Sequence, residues 1–63
     1  MKEYTAKYDT TAIKGICYSY RAVDDAAAVE FAKGKFSAWP NLTIYDDTES
    51  KRAAEGRVVY AAE

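Results

Sequence analysis

The chain has no histidine. That removes the commonest general base and the commonest metal ligand from a 63-residue protein. There is one cysteine, Cys17, so no disulfide can form within the chain, and the composition fits a reducing compartment, read here as the cytoplasm. The three glycines, Gly15, Gly34 and Gly56, stand alone, so there is no glycine-rich phosphate loop. There is one proline, and no linker or repeat interrupts the chain. No apolar run approaches the length of a membrane span, and the opening MKEYTAKYD lacks the apolar core of a secretion signal. Asn41-Leu42-Thr43 matches a glycosylation acceptor, but with no secretion signal it reads as chance. Neither sign of charge dominates: the net charge is −1. A strongly basic surface that would announce nucleic-acid binding is not present, nor is an acidic one that would mimic DNA.

What is present suits one small globular domain over residues 1–63, with 49% hydrophobic and 30% charged residues. Six tyrosines are many for this length, and each offers a ring to bury and a polar tip to keep wet. Charge is unevenly spread: residues 1–21 sum to +2, residues 22–50 to −4 and residues 51–63 to +1.

Alternation at period two predicts a strand over Tyr4–Tyr8, a turn from Asp9, and a second strand over Ile16–Ala22 with Ile16, Tyr18, Tyr20 and Ala22 on one side. Asp24 then predicts a helix start, because its carboxylate can accept amide hydrogens of the first turn. Asp25 adds negative charge where the helix dipole favours it. Ala28, Val29, Phe31, Ala32 and Phe36 share the inward side at helical spacing, and Gly34 predicts the stop. The paired alanines Ala28 and Ala32 let the helix lie close to a sheet. Phe36, Trp39 and Pro40 are expected to turn the chain back over the core, with Trp39 its largest side chain. Leu42–Tyr45 predicts a third strand with Leu42 and Ile44 inward, residues 46–56 a polar loop with one helical turn ending at Gly56, and Arg57–Ala62 a fourth strand. The expected fold is α+β: a four-stranded, largely antiparallel sheet in the order strand, strand, helix, strand, strand, with the helix on one face.

One helix can cover one face. The other, carrying Thr5, Lys7, Cys17, Ser19, Arg21, Thr43 and Tyr45, is expected to lie open, to be solvated, paired with a second copy, or used to hold a partner. No catalytic constellation is found, and Cys17 reads as a small strand residue with no histidine to activate it. Asp46-Asp47-Thr48-Glu49 lacks the ligand spacing of a calcium loop, so these read as turn and cap residues. We therefore expect no enzyme, cofactor or metal.

The stretch YRAVDDAAAVEFAK, residues 20–33, followed by LTIYDD and GRVVYAA, resembles small phage-encoded anti-CRISPR proteins that act on type I systems. The matching positions are Ala22, Asp24, Ala28 and Ala32, and the order of elements is similar over most of the chain. The resemblance transfers no functional residue. It implies a cofactor-free domain in the bacterial cytoplasm that acts by occupying the surface of a protein partner, a subunit of a CRISPR effector complex. Candidate contact residues are Lys7, Arg21 and Tyr45 on the open face, and Asp46, Asp47, Glu49, Lys51 and Arg52 in the long loop. Two alternatives stand beside this: a small nucleic-acid-binding or regulatory domain using the same face, and a structural module that pairs with itself through it.

Overall fold

The computed structural model describes residues 1–36, 41–50 and 52–61. Strands β1 (Lys2–Tyr8) and β2 (Ile16–Ala22) precede the helix α1 (Asp25–Phe36), and β3 (Thr43–Asp46) and β4 (Arg57–Ala61) follow it. The sheet order is β2-β1-β3-β4 with every neighbouring pair antiparallel. The α+β architecture expected from the sequence is therefore the one observed. Among the described residues, no helix is long and apolar enough to cross a membrane.

The β1–β2 turn is held by its own polar side chains. Asp9 accepts the Gly15 amide at 2.8 Å and the Asn41 side-chain amide at 2.8 Å, which tie the turn to the start of β3. Gly15 sits at φ +74°, a conformation that side chains rarely take. These two hydrogen bonds, that to Asn41 first, hold the Asp9 carboxyl below its usual range.

Asp24 caps α1 as expected, its carboxylate accepting the Ala27 amide at 2.8 Å. The helix does not stop at Gly34 but runs on to Phe36. Burial explains the difference: Phe36 is almost wholly enclosed and stacks on Tyr8 with ring centroids 4.7 Å apart. That contact offsets the modest cost of a glycine inside a helix, about 1 kcal/mol.

Among the described residues, four of the eight buried apolar side chains are alanines, Ala6 and Ala22 from the sheet and Ala28 and Ala32 from the helix. The alanines add little bulk between the layers, and Tyr4, Leu42, Ile44 and Phe36, equally enclosed, supply the volume of the core. Leu42 and Ile44 point inward as the alternation predicts. Phe31 does not. It is 44% exposed, on the flank of the line Ala28–Ala32–Phe36, and its ring lies 4.9 Å from that of Tyr20 at the β2 edge. Tyr20 sends its hydroxyl to the Ala28 carbonyl at 2.8 Å, and burial pushes its pKa up to about 12.

The open face differs most from expectation. Among the described residues of the segment 47–56 there are turns but no helical turn, and the segment folds back over the face opposite the helix. Thr5, expected to be open, is only 2% exposed. The pairing of β3 with β4 shifts between Ile44 and Tyr45, so that Val59 and Tyr60 both pack against the core. Trp39, Pro40, Lys51 and Ala62 lie outside the described residues.

Candidate functional site

The loop after β3 hangs from one carboxylate. Asp47 is 7% exposed and accepts hydrogen bonds from the Thr5 hydroxyl, from the Ala54 amide at 2.8 Å and from the Gly56 amide at 2.7 Å. Its own amide donates to the Glu3 carbonyl at 2.9 Å, continuing the β1–β3 ladder by one residue. The sequence places Asp47 among the exposed contact residues. It is instead an interior fastening, with each oxygen already occupied by the chain. Ala54 takes φ 60° where the loop turns beneath it. At Gly56 a side chain would strike the Asp46 carbonyl, so only glycine lets the chain pass this close.

This roof stands as a ridge with a depression on each side. The first is a cleft of about 280 Å³ between the ridge and the exposed side of β1 and β2. Thr5 and Ser19 lie in its lining, Glu3 and Arg21 at one margin, and Ser50 and Arg52 on the ridge. Thr5 and Ser19 are cross-strand partners, as are Glu3 and Arg21, so the antiparallel register sets hydroxyls beside an ion pair. Arg21 lies 3.5 Å from Glu3, and Arg52 lies 3.8 Å from Glu55. All four side chains are well exposed. Such pairs are held weakly and exchange readily for other partners.

The second depression, about 720 Å³, lies on the other side of the ridge and is lined by Lys2, Asp46, Thr48, Glu49, Glu55 and Arg57. Ser50 lines both. Asp46 accepts the Thr48 hydroxyl at 2.6 Å and the Thr48 amide at 3.1 Å. It also receives the Arg57 guanidinium at 3.2 Å, and these contacts, Thr48 first, hold its carboxyl below the usual range. Arg57 reaches on to Asp25 at 2.8 Å, which also accepts the Tyr4 hydroxyl at 2.7 Å. Thus the ridge, the fourth strand and the start of the helix are linked through one guanidinium. Asp25 is held low chiefly by Arg57, and the Tyr4 hydroxyl is pushed well up, first by its burial and then by its bond to Asp25.

The structure therefore brings Arg21 and Arg52 to one cleft, and Asp46 and Glu49 to the depression behind it. Lys7 and Tyr45 share the open face of β1 and β3 but do not line the cleft. Lys51 lies outside the described residues. Glu3, Ser19, Ser50 and Ala53 contribute to the cleft without being singled out by the sequence as contacts. For Ser19 a signal exists, since the alternation of β2 already sets it on the open face. Nothing local marks Ser50. Among the described residues, no cluster of acidic and cysteine side chains is placed to hold a metal ion. No protein-family model matches this chain, and no curated protein or solved structure matches it either.

Proposed function

We propose that this chain is a non-catalytic binding protein whose working surface is the ridge of residues 47–50 and 52–56 and the cleft beside it. The observation that carries this reading is the approach of Arg21 and Arg52 to one cleft, beside Ser19 and Ser50. Arginine offers a planar fork of donors suited to carboxylates or phosphates, and it is prominent at the centres of binding surfaces. Here two such forks are paired with exposed glutamates, so a partner's acidic groups can replace those glutamates at little cost. The depression behind the ridge carries both signs, Asp46, Glu49 and Glu55 beside Lys2 and Arg57, and such mixed charge at a rim sets the orientation of docking more than its strength.

On this reading the chain is an inhibitor of the anti-CRISPR kind, blocking a type I effector complex by occupying its surface. The resemblance at Ala22, Asp24, Ala28 and Ala32 supports that choice of partner. The test is protection of target DNA from a purified type I effector complex, comparing the parent with an Arg21→Glu/Arg52→Glu variant. The parent should protect. The variant should lose roughly tenfold or more in potency while its circular dichroism is unchanged. A parent that instead shifts DNA directly, with steep salt dependence, would replace this reading with a nucleic-acid-binding one.

A further inference from the structure

The two edges of the sheet are not alike. β4 opens with Arg57, and its pairing with β3 is broken by a register shift, both features that discourage another strand from adding there. β2 has neither. It is seven residues long, contains no proline, pairs with β1 without a shift along its whole length, and carries one charge, Arg21. Its outer edge pairs with no strand among the described residues. Along its helix side run Ile16, Tyr18, Tyr20 and Ala22, a row without charge of its own, flanked by Phe31 and by Lys35, whose ammonium lies 5.0 Å from the Tyr18 ring centroid. Tyr18 is 37% exposed and Phe31 44%.

We infer that β2 pairs with β2 of a second copy, antiparallel about a two-fold axis at Ser19, to give one eight-stranded sheet. The strand is complementary to itself in that register. Tyr18 of one copy faces Tyr20 of the other, twice, and such aromatic cross-strand pairs stabilise a sheet. Ile16 faces Ala22. On the other side Arg21 faces Cys17, so no like charges oppose each other within the strand pair. Both helices then lie on the same face, and the two Phe31 flanks approach across the axis. Pairing β2 on β4 of a further copy would build an open fibre, which the β4 irregularity opposes; the two-fold arrangement closes. The size of the domain points the same way. Among the described residues half of the buried apolar side chains are alanines, the single cysteine allows no internal disulfide, and small domains of this kind commonly gain stability by association. The open face is less suited to a second copy, because the ridge already covers part of it. The inference does not depend on what the cleft binds.

Sedimentation equilibrium tests it, with two variants at the axis. The parent should sediment at twice the mass of the chain at micromolar to millimolar concentration. Ser19→Lys sets two ammonium groups opposite each other and should give a monomer with unchanged circular dichroism. Ser19→Cys in a Cys17→Ser background should cross-link to a covalent dimer under mild oxidation, because directly opposite residues lie within disulfide reach. The parent's Cys17 should not cross-link, since its copy lies four residues away along the pair, about 13 Å. A parent that stays monomeric at millimolar concentration would overturn the inference. So would a dimer that survives Ser19→Lys. Cross-linking of the parent through Cys17, with none in the Ser19→Cys variant, would overturn it as well.

Discussion

The two faces of this sheet are covered by different physics. On one, a helix covers the strands over an apolar core of alanines with Tyr4, Leu42, Ile44 and Phe36. On the other, a loop with no apolar periodicity lies on the strands through a buried carboxylate and its three donors. The first cover is announced by spacing in the sequence. The second depends on hydrogen bonds that join Thr5 to Asp47 and Asp47 to Ala54 and Gly56. It also carries the arginine cleft, so the candidate site belongs to the less legible half of the molecule.

If the polar cover is fastened as described, breaking it should have the largest effect. Asp47→Ala leaves a buried hydroxyl and two amides without their acceptor. At about 1–3 kcal/mol for each buried donor left unpaired, with water able to reach some of them, a loss of about 3 kcal/mol is expected. Urea denaturation measures it, and the cleft should lose Arg52 from its margin even where the sheet stays folded. A cost near zero would mean the loop rests on the face without being tied to it.

The apolar cover should fail differently. Ala32→Leu adds bulk at a fully enclosed position of the helix, and about 1–3 kcal/mol of destabilisation is expected from overpacking the core. Its melting temperature should fall while the Ala54 and Gly56 amides remain protected in the folded molecule. Loss of protection at those amides as well would show that the two covers act as one unit.

The smallest change sharpens the same contrast from the helix end. Asp24→Ala removes the acceptor of the Ala27 amide and should cost about 1 kcal/mol by equilibrium denaturation. Because Asp24 takes no part in the Asp25–Arg57–Asp46 link, partner binding by the folded fraction should be unchanged. Reduced binding at saturating stability would tie the cleft to the helix cap.

Much of the fold can be read from local pattern. The bounds of β2, the cap at Asp24, the inward Leu42 and Ile44, and the single helix all follow from spacing and end chemistry, because each involves neighbours in sequence. The extension of α1 past Gly34 cannot be read so, since it rests on Phe36 meeting Tyr8 from another element. Phe31 departs from its expected place for a similar reason: an apolar stripe on a short helix is wider than the line that alanines bring into contact. Asp47 is the most consequential difference. In sequence it is one of two adjacent acids in a polar loop, and its neighbour Asp46 is indeed bound to Thr48 and Arg57 at the rim. Only the partners at Thr5, Ala54 and Gly56 distinguish the interior carboxylate from the outer one.

The central claim is that the described residues 47–50 and 52–56 form an ordered roof, so that Arg21 and Arg52 flank one cleft. Amide hydrogen exchange at Ala54 and Gly56 in the parent tests it most directly. Both amides are bound to a buried carboxylate and should exchange far more slowly than those of an unstructured chain, and Asp47→Ala should remove that protection. Exchange at unstructured-chain rates in the parent would contradict the roof, and with it the cleft on which the proposed binding surface depends.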